Sequence, residues 1–478
     1  MIPLRLDEVA SAAGGRLVAG DPDLVIDAVT TDSRRIPRGN ALFVAIRGEH
    51  ADGHDFLAGA AEGGAVAVLS ERDVDLGAGI GVVRVDDTWR AIALLGAAVR
   101  DRVDPFVVAI TGSVGKTTTK DLTAAALGAG LRTVAAEGSF NNELGVPLTL
   151  LSLREDSQAL VVEIGARGVG HVAELVPYAR PDVSVVTAVA GVHLELFGDI
   201  EAVARAKGEL VEGLAPDGTA VLNADDPRVA AMADRAPGAV LRYGLAERRG
   251  AGDAPDLVGD DVRLDRLARA SFTARTPWGD AEVTLPVAGR HHVSNALAAL
   301  AAAGVAGVSV PDAAEALAAA RISAWRGEVA ERDGLVILND AYNANPTSVA
   351  AALEMLTTVE RTGRTIAVLG VMAEIGPTAG AEHEAIGRRA AELGVDLVVA
   401  VGEEARAIAV GARAGGCPPE QVLEVADADA ATAVLAGDVG PGDVVLVKAS
   451  RVGGLEAVAA ALLGGDDAPG GPADGDDT

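Results

Sequence analysis

The sequence predicts an α/β protein of three domains, and three observations carry that prediction. Its 478 residues correspond to about three units at roughly 150 residues per domain. The chain is rich in Ala, Gly and Val and only 3% aromatic, a composition suited to close helix–sheet layers. Short continuous apolar runs alternate with Ala/Leu-rich helical stretches, which is the pattern of parallel strands buried on both faces.

The first block, residues 1–102, holds short strand-like runs such as "ALFVAI" and "AVAVLS" between Gly/Asp turns. The stretch "DRVDP" at 101–105 reads as a linker, with Pro105 fixing entry to the next strand. The central block, 103–320, opens with "FVVAI", then "TGSVGKTTTKD", then a helical stretch; "ALVVEIGA", "VSVVTAVA" and "TAVLNADDP" are further buried strands. A loop and long helix, "LPVAGRHHVSNALAALAAAGV", close it. The third block, 321–464, repeats the strand–loop–helix pattern in "LVILNDAYNANPTSVAAALEML". With "TIAVLG", "DLVVAVG" and "DVVLVKAS" it predicts a smaller Rossmann-like sheet without a G-x-G-x-x-G turn. The tail, 465–478, is Gly, Pro and Asp and is expected to be disordered.

A formal charge of −29 repels nucleic acid and anionic lipid. An anionic substrate must therefore meet a local group of cations and helix N-termini. The single cysteine, Cys417, excludes a disulfide framework. No signal-peptide pattern opens the chain, and its longest apolar run is too short to span a bilayer. A cytoplasmic protein without membrane insertion is expected.

In "TGSVGKTTTKD", residues 111–121, backbone N–H groups converge with a helix N-terminus, as phosphate binding requires. Thr111, Gly112, Ser113, Val114, Gly115, Lys116, Thr117 and Thr118 are the expected nucleotide contacts. Lys116 would reach the outer phosphates and the Thr117 hydroxyl would bind Mg²⁺. Ile110 stands where the strict motif has its first glycine. Glu163 ends a buried strand, and strand carboxyl ends face the ligand crevice in open α/β sheets, so it is a candidate metal ligand. His193 follows the next strand and is expected at the same crevice.

Lysine is scarce: only Lys116, Lys120, Lys207 and Lys448 occur among 40 Lys and Arg. Lys207 therefore stands out in "EAVARAKGELV". A neutral amine can take up CO₂ and become an anionic carbamate, an oxygen ligand suited to Mg²⁺. A free lysine is neutral in roughly one molecule in 2,500 at pH 7, a fraction that desolvation or a nearby cation raises.

The runs "ITGSVGKTTTKDL", "GSFNNELGVPLTLL", "VVEIGARGVGHVAEL" and "HLELFGDIEAVARAKGEL", followed in order by "LNDAYNANPTSVAAAL", "VLGVMAEIGPTAGAEHEAIG" and "VLVKASRVGGLE", resemble the Mur ligases from about Thr30 to Glu456. "FNNELGVPLTLL" and "DAYNANP" point within that family to the step that joins D-Ala-D-Ala to UDP-MurNAc-tripeptide. The resemblance implies an N-terminal α/β domain for the UDP-sugar, a central P-loop ATPase domain with a parallel sheet, and a Rossmann-like domain closing over both. It implies the use of ATP and two Mg²⁺; a monomer is expected.

By the same resemblance, Asp32, Ser33 and Arg34 match a uridine-binding triplet and Asn142 a substrate- and site-organising asparagine. Asn295 matches an adenine contact, Arg326 an arginine that swings towards the γ-phosphate, and Asp340 a ribose-binding aspartate. Asn343 and Asn345 would lie near the dipeptide. Lys448, Ser450 and Arg451 match a K-G-S-R stretch, and Lys207 matches a carbamylated position. Thr117 and Glu163 would hold one metal; Glu163, His193 and carbamylated Lys207 the other. Lys116, Asn142, His193, Lys207 and Arg326 are the expected catalytic set. The family pattern is broken at Val114, His292, Val371 and Ala449. The alternatives are a sister ligase adding a different amino acid, against which "NANP" replaces a "DNPR"-type motif, a folylpolyglutamate-type ligase, and a nucleotide-binding scaffold without catalysis.

Overall fold

The computed structural model describes residues 1–48, 50–191, 194–248 and 254–464. The acidic tail and His193 lie outside the described residues.

In the N-terminal domain a five-stranded sheet runs in the order Arg16–Ala19, Gly81–Arg84, Ala67–Ser70, Ala41–Val44, Ala28–Thr30. The stretch expected as a linker is instead the end of a helix, Thr88–Val103, closed by Asp104 at φ 53°. Arg100 and Arg102 in its last turn suit the negative end of the helix dipole, and Pro105 cannot continue it. That helix buries Ile92, Leu95 and Val99 in a core that also holds Leu42 and Val44 of the first sheet and Val107, Leu160 and Val162 of the central one. The first two domains thus share one apolar interior.

The central sheet has nine strands. Seven are parallel, from the edge strand Thr133–Ala135 through Ala159–Glu163, Phe106–Thr111, Val183–Val186, Thr219–Asn223 and Ala239–Leu245 to Leu257–Leu264. Two further strands, Arg269–Thr276 and Gly279–Ala288, continue it antiparallel. The parallel sheet expected for this domain is present, and the antiparallel pair extends it at one edge. "RASFTART" alternates buried and half-exposed positions, the period of a strand with one covered face. The long helix His292–Val305 packs its alanines against this sheet.

The third domain is a six-stranded sheet in the order Glu328–Arg332, Leu335–Asn339, Val444–Lys448, Thr365–Leu369, Leu397–Val401, Val422–Val425. All pairs are parallel except the first. Leu267, Ala268 and Ala288 of the central domain sit in its core, so the antiparallel extension is the shelf on which the third domain rests.

Candidate active site

Strand Phe106–Thr111 ends at the loop, and helix Lys116–Gly128 begins directly after Gly115. Gly112 has φ +147°, and a Cβ there would lie 2.0 Å from Thr187 Oγ1. Gly115 has φ +81° and faces Asn295 Oδ1 at 2.8 Å from where a Cβ would be. Both positions therefore require glycine. Thr187, a residue the sequence reading did not single out, pins the loop by donating its hydroxyl to Val114 O at 2.6 Å. Ser113 N–H donates to Ala188 O and its hydroxyl to Ala190 O. Thr111 Oγ1 donates to Ile164 O, and Thr118 is buried in the first helical turn.

Lys116 curls back so that Nζ donates to Gly112 O at 2.9 Å. Thr117 Oγ1 donates to Glu163 Oε2 at 2.7 Å, and Asn141 Nδ2 donates to Glu163 Oε1 at 2.8 Å. Asn142, expected to organise the site, instead accepts from Leu144 and Gly145 N–H and starts the helix Gly145–Leu151. Its neighbour Asn141 is the one that reaches the carboxylate. The doublet "NN" was the available signal, but only loop geometry decides which amide points inward.

Lys207 lies in helix Ile200–Glu212 and is 2% exposed. Burial, with the Lys116 charge adding, pushes its ammonium down to about 7, against the opposing pull of Glu163 and Glu209. Burial also lowers Lys116; Glu163 opposes this and Arg326 of the third domain adds to it. Lys116, Glu163, Lys207 and Arg326 therefore share one electrostatic environment. Among the described residues no three His, Cys, Asp or Glu side chains group to hold a metal; of the expected donors, Thr117 and Lys207 are of other kinds and His193 lies outside the described set.

The Asp32–Arg34 triplet forms a tight turn. Asp32 accepts from Arg34 N–H and Nε, both at 2.9 Å, and this pairing lowers its carboxyl pKa. Near it, between the edge strands Ala28–Thr30 and Thr133–Ala135, runs a cleft of about 710 Å³ lined in part by Thr30, Thr31, Arg132, Phe140 and Arg154. A second cavity, of about 530 Å³ and bounded by Arg180, Asp182 and Asp217, opens at the opposite, amino end of the strands.

In the third domain, Lys448 Nζ donates to Asp340 Oδ2 at 2.6 Å and to Asn343 O at 2.9 Å. Ser450 Oγ donates to Ala344 O. Lys448 is 2% exposed, so it braces the loop from inside rather than offering a free cation. Asn345 caps the helix Pro346–Thr358 through Ser348 N–H. Arg451 stacks on Trp325 at 4.4 Å, and Arg326 on Tyr342 at 3.8 Å. The departures from the family pattern are tolerated for visible reasons. Val114 and Val371 act through their backbone carbonyls, His292 Nδ1 pairs with the Asn295 amide at 3.0 Å, and Ala449 packs its methyl against Gly370.

A phosphate-binding loop, a carboxylate tied to its threonine and a cation delivered from a third domain define a multidomain P-loop nucleotide-dependent enzyme. Three family models match in order: Mur ligase family, catalytic domain, over 25–111; Mur ligase middle domain, over 110–303; and Mur ligase, glutamate ligase domain, over 325–451. The chain is 41% identical to the UDP-N-acetylmuramoyl-tripeptide–D-alanyl-D-alanine ligase of Mycobacterium bovis, over 98% of this chain and 99% of that protein. MurF from Acinetobacter baumannii superposes with a TM-score of 0.86 at 31% identity, covering 96% of this chain and 99% of that one. MurF from Thermotoga maritima in complex with ADP gives 0.78 at 27% identity, covering 92% and 97%. The chain belongs to the Mur ligase family.

Proposed function

We infer that this protein joins D-Ala-D-Ala to UDP-MurNAc-tripeptide at the expense of ATP, releasing ADP and phosphate. The observation that carries the reading is the meeting of Lys116, Thr117, Glu163 and Lys207 at one end of the central sheet, with Arg326 arriving from the third domain. Relatives that match nearly end to end carry the name of this reaction. The γ-phosphoryl group passes to the terminal carboxylate of the tripeptide, giving an acyl phosphate. The dipeptide amine attacks its carbonyl carbon, and the tetrahedral adduct expels phosphate to leave an amide. Such transfer needs positioning and charge neutralisation more than side-chain covalent chemistry. Lys116 and Arg326 supply fixed positive charge where two anions are forced together. Closure of the third domain over the loop would exclude water that hydrolyses the acyl phosphate.

The Thr117 hydroxyl and Glu163 carboxylate are oxygen donors of the kind hard cations take, and the donor set fits Mg²⁺. When bound, Mg²⁺ neutralises phosphate charge and orients the reacting oxygens. The uridine end is assigned to the Asp32–Ser33–Arg34 turn, with the adjoining cleft as the path to the phosphate loop, the adenine to Asn295 and the ribose to Asp340. Asn142, Asn343, Asn345, Ser450 and Arg451 remain assigned to the substrate side.

We further propose that Lys207 works as its carbamate. Its buried amine, with a pKa near 7, attacks CO₂ carbon, forms an N–C bond and sheds one proton, giving a carboxylate that with Glu163 and His193 would serve a second Mg²⁺. The reading places the enzyme in the cytoplasm, where ATP is supplied. Cys417 is a buried free thiol, and no described helix is long and apolar enough to cross a membrane.

The test is ADP release with UDP-MurNAc-tripeptide, with and without D-Ala-D-Ala. Dipeptide-dependent release is expected. Release at the full rate without dipeptide would overturn the ligase assignment.

A further inference from the structure

Tyr342 belongs to none of the assigned roles, yet it touches both sides of the domain junction. Its ring lies under the Arg326 guanidinium, 3.8 Å from centroid to carbon. Its hydroxyl meets Ser139 Oγ of the central domain. Its backbone N–H donates to Trp325 O at 3.2 Å, which ties it to the segment that carries Arg326.

Both neighbours are themselves constrained. Trp325 sits at φ 61°, a left-handed conformation that bulky residues rarely adopt, and Arg451 stacks on its ring. Ser139 lies in a short loop fixed on either side. Lys120 Nζ holds Ala136 O and Gly138 O before it, and Asn141 holds Glu163 after it. Arg326 Nε is buried without a hydrogen-bond partner among the described residues. The ring face is thus the contact that fixes the plane of the guanidinium, whose long side chain otherwise has wide rotamer freedom.

We propose that Tyr342 is a positioning residue for phosphoryl transfer: its ring orients Arg326 on the phosphate-loop side, and its hydroxyl registers the third domain on the loop that carries Asn141. This rests on Arg326 acting as the third-domain cation of the ligase reaction.

A double-mutant cycle on the full-length chain tests it, with kcat and the KM for ATP read separately. Tyr342→Leu removes the π face and is expected to lower kcat about tenfold with little change in KM. In an Arg326→Ala background the same substitution should cost no further kcat. Tyr342→Phe keeps the ring and should recover most of the loss; what it still lacks should equal the effect of Ser139→Ala, and the two together should cost no more than either alone. A loss from Tyr342→Leu that is equal in both backgrounds overturns the proposal while leaving the ligase reading intact. An Arg326→Ala variant with unchanged kcat overturns the role of Arg326 itself, and the proposal with it. Thermal melts of each variant separate these results from unfolding, and Tyr342→Phe supplies the comparison should Tyr342→Leu fail to fold.

Discussion

Thr117 and Glu163 face each other across a 2.7 Å hydrogen bond that joins the first turn of the phosphate-loop helix to the end of the neighbouring strand. Forty-six residues separate them in sequence. Two parallel strands in register, with Glu163 opposite Ile110, bring them together. Glu163 is 1% exposed, yet its two oxygens accept from one hydroxyl and one amide. A buried carboxylate held by two neutral donors keeps most of its charge available for a cation.

Glu163→Gln should therefore leave the fold intact and remove the chemistry. The amide is isosteric and can still accept from Thr117, so the loss of stability should stay within about 1–2 kcal/mol. kcat should fall about a hundredfold or more, and the Mg²⁺ concentration for half-maximal rate should rise. ADP-release rates across a magnesium titration measure both. An unchanged magnesium dependence would remove Glu163 from the ligand set.

Lys207 gives a pH prediction of definite sign. Its folded-state pKa is near 7 against 10.5 for a freely solvated lysine. Between these values the unfolded chain holds a proton that the folded chain has released, so stability rises with pH across that window. Below about pH 7 both states are protonated and the full cost of burying the charge is present. Lys207→Met should thus stabilise the apo-protein most at pH 6–7, by a few kcal/mol, with the advantage shrinking towards pH 10, while activity is lost. Urea unfolding at a series of pH values reads this directly. Incubation of the parent with ¹³C-bicarbonate should add a carbamate carbon resonance that is absent in Lys207→Met; its absence from the parent would remove the CO₂ proposal.

Much of this site was legible because parallel sheets obey a positional rule. Strand polarity alone places Glu163 at the crevice, and the scarcity of lysine singles out Lys207; His193, expected there by the same rule, lies outside the described residues. What escaped depended on the direction of single side chains. Asn141 rather than Asn142 reaches Glu163, and Thr187 locks the loop through a carbonyl. Lys448 is turned inward onto Asp340. The 101–105 stretch looked like a linker because its charges and proline mark an ending, but the ending is that of a helix. The antiparallel extension carries a period-two pattern, which contains no continuous apolar run to mark it as buried strand.

Gly112→Ala should abolish nucleotide binding while leaving the folded protein recognisable. The methyl would collide with Thr187 Oγ1, the residue that pins Val114, at a φ that side chains rarely adopt. ATP should no longer raise the melting temperature, whereas in the parent saturation at about a hundredfold over Kd contributes about 2.7 kcal/mol. A nucleotide-dependent shift equal to that of the parent would show that the loop tolerates the clash and that its glycine is dispensable.

Asp121 should prove to anchor the hinge of third-domain closure, the segment around Ile322 and Ser323 that joins the central domain to the third. Its carboxylate pairs with buried Lys120 at 2.9 Å and accepts from Ser323 N–H at 2.8 Å, in the segment leading from the central to the third domain. The phosphate-loop helix that carries Lys116 and Thr117 is thereby tied to the start of the linker. Asp121→Ala breaks both links and leaves Lys120, among the described residues, with two carbonyl partners; removing one member of a buried pair typically costs about 3–5 kcal/mol. Asp121→Asn keeps an acceptor for Ser323 and should cost clearly less. Urea unfolding gives these differences. Small-angle scattering with ATP and UDP-MurNAc-tripeptide should then show compaction in the parent and in Asp121→Asn, but weaker compaction in Asp121→Ala. If Asp121→Ala matches the parent in both measurements, the hinge is held elsewhere.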